Sequence, residues 1–284
     1  MKKILVMMST YNGERYIREQ LNSIITQIGV DVKILVRDDG SNDRTVDIIK
    51  EFEQVDIIES KNVGVKESFF ELISMAGKYD YYAFADQDDV WDENKLKIAV
   101  DKLEEVKKPA IYSSNTTLVD EHLECIKVEA LRPITTLGSA IVKNYATGCT
   151  VVFNSLLMEY LKAYRPRYVS FHDWWVNLVC LSIGGVSLYD YEPHMKYRQH
   201  GTNVVSGNSS FLKKWISRIN KFFNTKYNRD KVALEILENY SDSIKGNNRL
   251  VLEAMVDNKA VAEMSCGNFL DDFLFRVCLI FGKQ

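Results

Sequence analysis

The sequence predicts an α/β fold, a mostly parallel central sheet flanked by helices, with a helical C-terminal extension. Three observations predict it. Short apolar runs alternate with amphipathic stretches through the first 115 residues, a polar cluster follows each of the first four runs, and the residues after Asn208 hold neither a proline nor a strand-like run. Strands that alternate with helices form a parallel sheet whose two faces the helices cover.

The elements follow in order. The strands are ILVMM (4–8), VKILV (32–36), DIIES (56–60), YYAFA (81–85) and AIYSS (110–114), each short, apolar and bounded by polar or turn residues. The helices fall near 14–27, 43–53, 65–77 and 93–106, where apolar residues recur three and four apart, as in Tyr16, Leu21, Ile24, Ile25 and Ile28. Gly40 permits a tight turn, and Ser41, Asn42 and Asp43 supply helix-start chemistry. From 116 to 205 the alternation fades, and the prolines at 109, 133, 166 and 193 lie in or beside this stretch, which reads as an elaboration of the sheet. Two units result, a sheet domain over 1–207 and a helical extension over 208–284.

Composition bounds the function. With 284 residues, 46% hydrophobic and 26% charged, the chain buries a sizeable core and is neither disordered nor fibrous. The cysteines at 125, 149, 180, 266 and 278 are odd in number and widely spaced, which fits no disulfide framework and no zinc knuckle. A cytoplasmic location is expected. MKKILVMM opens like a signal peptide, but the apolar run closes at Ser9 and no small-residue cleavage site follows. A spanning helix needs about 18 apolar residues, and no such run is present.

The net charge of −3 conceals a basic segment, seven basic residues and one acidic residue between 211 and 231. Phe211, Leu212, Trp215, Ile216, Ile219, Phe222 and Phe223 repeat there at helical spacing, with Lys213, Lys214, Arg218 and Lys221 between them. Such a helix either lies on an anionic lipid surface at the inner membrane face or packs its apolar side on the sheet domain. The run from Phe269 to Phe281 could add a docking or homodimer surface. No nucleic-acid partner is expected.

In a sheet of this kind ligands gather outside the carboxyl ends of the strands. The loops there are STYNGE after strand one, RDDGSND after strand two, KNVG after strand three and DQDDVW after strand four. Asp86, Asp88 and Asp89 crowd three carboxylates into four residues, a repulsion that a hard Mg²⁺ or Mn²⁺ would relieve while still accepting a diphosphate. In extended chain Asp86 and Asp88 address the same side. The plain alternative is a solvated turn. Asp38 and Asp39 are candidates for ribose or base N–H contacts, although Asp-Gly is also a turn signal. At Thr10, Tyr11 and Asn12 an aromatic ring can stack on a nucleobase beside an amide that bonds it. A Rossmann dehydrogenase or a P-loop enzyme has no footing, since neither G-x-G-x-x-G nor a Walker lysine is present.

Taken together, MSTYNGERYIREQLNSI, VRDDGSNDRT, KNVG and FADQDDVW resemble glycosyltransferase family 2, which has the GT-A fold, over roughly the first 200 residues. The resemblance implies an inverting transferase that uses a nucleoside-diphosphate sugar and a divalent metal, with Asp38 or Asp39 reading the nucleoside, Asp86 near ribose and metal, and Asp88 ligating the metal. It also places the general base at Asp173 in FHDWW, where His172 is the runner-up and a helix N-cap the structural alternative. In YRQHG, His200 is a candidate metal ligand or diphosphate contact, and Arg198 a candidate for stabilising the leaving diphosphate. His122 and His194 are read as structural.

HDWW and YRQHGTNVV look most similar to bacterial rhamnosyltransferases and related polysaccharide enzymes, which implies dTDP-rhamnose as donor. A glycan or lipid-diphosphate-linked acceptor is expected with it. A UDP-hexose donor is the alternative, and a nucleotidyltransferase or a noncatalytic nucleotide-sugar-binding module stands further off.

Overall fold

The computed structural model describes residues 1–199 and 228–280. Its first half is strand-helix alternation: β1 (Lys2–Thr10), α1 (Ile17–Ile25), β2 (Val30–Asp38), α2 (Thr45–Ile49), β3 (Val55–Glu59), α3 (Val65–Met75), β4 (Tyr81–Ala85), β5 (Val90–Trp91) and α4 (Lys95–Glu104). β1 and β4 carry unbroken apolar runs because both faces of the sheet are covered. Ile4, Val6, Met7 and Met8 are fully buried, as are Ala83, Phe84 and Ala85. α2 is shorter than the sequence pattern predicts: Asp43 Oδ1 accepts the Thr45 N–H at 3.0 Å, so the carboxylate folds a turn and the helix starts only at Thr45.

The stretch of faded alternation holds β6 (Ala110–Val119), β7 (Cys125–Val128), α5 (Leu137–Val142), β8 (Val152–Asn154), α6 (Ser155–Ala163), α7 (His172–Ser182) and β9 (Val186–Arg198). All its strands join the same sheet, in the order β3-β2-β1-β4-β8-β6-β9-β5 with β7 beside β6. The sheet is therefore mixed. β1 through β4 pair in parallel, as β6 and β9 do, while β8 runs antiparallel to both β4 and β6. Pro193 of β9 lies opposite Asn115 where the register shifts, a place where a residue without an N–H disturbs no ladder bond.

The C-terminal helices α8 (Arg229–Asn239), α9 (Asn248–Val256) and α10 (Phe269–Ile280) continue one core with the sheet domain. Val232, Ile236, Leu252, Met255 and Phe275 share a buried cluster with Ile141 of α5 and with Trp174 and Leu178 of α7. Gly138 of α5 is required there, since a Cβ would lie 1.9 Å from the Glu263 carbonyl oxygen. Buried Glu235 of α8 accepts the Tyr164 hydroxyl at 2.9 Å and the Arg167 N–H at 2.8 Å, fixing the loop that leads into α7. No helix among the described residues is long and apolar enough to cross a membrane. The predicted basic helix lies mostly outside the described residues.

Candidate active site

β1 is flanked by β2 on one side and β4 on the other, so chain order reverses at its carboxyl end and a crevice opens there. The register sets Thr10 beside Asp38 and Met8 beside Ala85, which brings the first, second and fourth polar loops to one edge.

The β1 and β2 loops are knitted together. Asn12, at φ 49°, accepts the Asn42 N–H at 2.9 Å, while its own N–H donates to Ser41 Oγ at 2.9 Å. The Gly13 N–H donates to Thr45 Oγ1 at 2.7 Å. Asp38 is buried with four bonds: Oδ1 accepts from Thr10 Oγ1 and Ser41 Oγ, and Oδ2 from the Gly40 and Ser41 N–H groups. Those four fill its acceptor positions. Asp39, also buried, pairs with the Arg37 guanidinium and accepts the Val63 N–H at 2.9 Å and the Gly64 N–H at 2.8 Å. Among the described residues one acceptor position on Asp39 Oδ2 remains. Thr10 is buried against Asp38, whereas the Tyr11 ring is exposed.

The β4 loop is clasped to β1 by Gln87, whose amide accepts the Tyr11 N–H at 2.9 Å and donates to the Tyr11 carbonyl at 3.1 Å. Gly13 makes room, because a Cβ there would lie 2.4 Å from Gln87 Oε1. Asp86 and Asp88 are half-buried and Asp89 is fully buried. Burial, then Asp88 and Asp173, push the Asp86 carboxyl up to about 7. Asp89 is held well above the usual carboxylate range by burial and by Asp88 and Asp86. Asp89 Oδ1 accepts the Arg198 N–H at 3.1 Å, and the carboxylate also meets the thiol of buried Cys149. Beneath the loop, the buried Lys95 ammonium lies 3.3 Å above the Trp91 ring.

Asp173 reaches the same edge from α7. The helix begins at His172 with Phe171 as its N-cap, so Asp173 sits in the first turn and is not the cap. Its Oδ1 accepts the Trp174 N–H at 2.6 Å, and burial nevertheless raises the carboxyl to about 6. The His172 ring is stacked on Phe69 at 3.8 Å and meets Phe84 edge-on, and burial lowers it to about 3, which keeps it neutral. His194 bonds to Asp190 at 3.0 Å, a strand brace, and His122 is exposed.

Arg198, the candidate for stabilising the leaving diphosphate, is 2% exposed. It is buried behind the carboxylate loop, where it donates to the Asp88 and Glu121 carbonyls and pairs with Glu19. His200 lies outside the described residues. Gln87 and Thr45, which hold the loops, were not singled out by the sequence, and Ser41 was read there only as helix-start chemistry: hydrogen-bonding side chains inside polar loops carry no pattern of their own.

Asp86 and Asp89 place carboxylate oxygens within 4.8 Å of one another and of the buried Cys149 Sγ, and with Asp88 between them in sequence the two acids held far above their ordinary range supply oxygen donors that fit a hard divalent cation. Residues 5–165 match the family model described as Glycosyl transferase family 2. Among relatives, the dTDP-rhamnosyl transferase RfbG of Shigella flexneri is 32% identical over 258 residues, covering 86% of this chain and 88% of the relative. The UDP-Glc:alpha-D-GlcNAc-diphosphoundecaprenol beta-1,3-glucosyltransferase WfgD of Escherichia coli is 26% identical over 219 residues, 74% of this chain and 83% of the relative. The fold is similar to that of S. aureus TarS 1-349 in complex with UDP-GlcNAc, with TM-score 0.58, 15% identity and coverage of 99% of this chain and 92% of that one. It is also similar to the mannosyltransferase PcManGT of Pyrobaculum calidifontis in complex with GDP-Man and Mn2+, with TM-score 0.55, 13% identity and coverage of 99% and 88%.

Proposed function

This chain belongs to glycosyltransferase family 2 and is a sugar transferase of GT-A fold, and on that premise we propose that it moves L-rhamnose from dTDP-rhamnose to a glycan or lipid-linked glycan acceptor in polysaccharide synthesis. The donor assignment rests on the 32% identity to the Shigella enzyme across most of both chains. The likeness to WfgD makes a UDP-hexose the competing donor.

Asp88 and Asp86 would hold the divalent cation, Mn²⁺ or Mg²⁺. When bound, the cation supplies positive charge against the donor diphosphate. The chain's own residues do the rest. Tyr11 offers an exposed ring to the base, and Asp39 keeps one acceptor position for a base N–H. Asp173 takes the acceptor hydroxyl proton as the new glycosidic bond forms at the anomeric carbon, and the bond to the nucleoside diphosphate breaks on the opposite face. Inversion follows from that single displacement. A carboxylate raised to about 6 is a stronger base than an ordinary one and is still ionised at neutral pH.

The observation that carries this reading is a meeting of acids from β4 and α7 at one place: Asp86 and Asp89 lie with Cys149 Sγ within 4.8 Å of one another, and Asp173 Oδ2 lies 3.4 Å from where a Cβ on the neighbouring Gly148 would be. Incubation with dTDP-rhamnose, UDP-glucose and GDP-mannose, with Mn²⁺ and a lipid-diphosphate sugar acceptor, tests it. Rhamnose transfer is expected, with kcat/KM lost as pH falls through about 6 as Asp173 gains its proton. Transfer from UDP-glucose alone would replace the donor, and a flat pH profile would remove Asp173 as base.

A further inference from the structure

Arg198 ends β9, yet its side chain is 2% exposed. Its backbone N–H donates to Asp89 Oδ1 at 3.1 Å, and its Nε donates to the Asp88 carbonyl at 2.8 Å. Nη1 donates to the Glu121 carbonyl at 2.8 Å, and Nη2 pairs with Glu19 of α1. The guanidinium carbon lies 4.6 Å above the ring of Tyr16, the residue that opens α1. One planar fork thus joins the carboxylate loop to α1 and to the turn after β6. A lysine in its place would offer one point charge and could not reproduce these directions.

Fixing the Asp88 carbonyl fixes the peptide that follows Asp88, and with it the direction in which the Asp88 side chain leaves the backbone. We propose that Arg198 is a positioning residue for the metal carboxylates: its bonds to the Asp88 carbonyl and the Asp89 carboxylate hold the loop in its metal-binding shape, and Glu19 is the counter-ion that keeps the guanidinium in place. This rests on the reading of Asp88 as metal ligand. It differs from a contact between Arg198 and the leaving diphosphate, because the side chain acts on the protein's own loop before any nucleotide arrives.

The test is Mn²⁺ affinity of the full chain in the absence of nucleotide, followed by electron paramagnetic resonance, for wild type, Arg198→Lys and Glu19→Gln. Glu19 is half-exposed on α1, so its substitution leaves folding intact and guards against a misfolded arginine variant. Residues that orient metal ligands are worth about 10-fold or more in metal affinity. Arg198→Lys is expected to raise the Mn²⁺ Kd about 10-fold, with kcat recovering to within about 2-fold of wild type at saturating Mn²⁺. Glu19→Gln is expected to raise the Kd by a smaller factor of about 3. Unchanged Mn²⁺ affinity in both variants overturns the proposal, and a weaker nucleoside-diphosphate affinity in Arg198→Lys would then assign the side chain to the leaving group. If wild type binds no Mn²⁺, the metal reading of Asp88 fails first and takes this one with it.

Discussion

The two sides of the crevice are built to opposite rules. On the β1–β2 side Asp38 has all four acceptor positions occupied by the protein, and Asp39 has three. On the β4–α7 side Asp86, Asp89 and Asp173 are all held above the usual carboxylate range, Asp86 and Asp89 by burial and by their acidic neighbours. Buried carboxylates are stable when bonded and costly when not. The first side is therefore a finished frame, and the second is a set of acids that burial holds above their range in spite of the bonds Asp173 and Asp89 receive. What differs between acidic pairs that look alike in sequence is how far the protein's donors offset the burial of each charge.

Substitutions on the two sides should then separate activity from stability. Asp88→Ala is expected to lower transfer by about 10³-fold, the size of losing one preorganised electrostatic contact to the reacting group, with little change in Tm. A variant that keeps near wild-type transfer would show that the β4 loop is only a turn. Asp38→Ala is expected to act the other way round, costing about 3 kcal/mol of stability through donors left unpaired in the interior. Calorimetry would read that as a fall in Tm of about 8 °C. An unchanged Tm would show that the frame is not held by Asp38.

A smaller effect tests the charge imbalance itself. Asp86 is raised to about 7 and Asp173 to about 6 from an ordinary value of 3.8, so between pH 4 and 7 the folded protein binds more protons than the unfolded chain. These groups therefore favour the fold at low pH, and that contribution is lost as pH rises through the raised values. Metal-free protein is expected to melt about 5 °C lower at pH 8 than at pH 5.5, with Mn²⁺ closing the gap. A Tm that climbs over this range without metal would place the strain elsewhere.

Much of the first half was legible because β1 and β4 are covered on both faces and so read as unbroken apolar runs, while β2 keeps the apolar stretch Ile34 to Val36 between charged residues. The later strands were harder to see. β8 is three residues long, and β9 carries Pro193 at a register shift and exposed Tyr191 and Glu192 within it. In the site, the acidic loops were visible as clusters after strands, but the environment of each charge was not. Nothing in YRQH shows that Arg198 turns inward to Glu19, a residue 179 positions away. Nor does DDG show that Asp38 is saturated while Asp39 keeps one acceptor position, since that depends on Thr10, Ser41 and Val63 arriving from three separate segments.

The central claim is that the β4 carboxylates hold a cation that presents the donor diphosphate. Isothermal titration of dTDP into wild type and Asp88→Ala, each with Mn²⁺ and with EDTA, tests it most directly. Binding to wild type that needs Mn²⁺ and vanishes in Asp88→Ala is the expected result. Equal affinity with EDTA, or in Asp88→Ala with Mn²⁺, would contradict it.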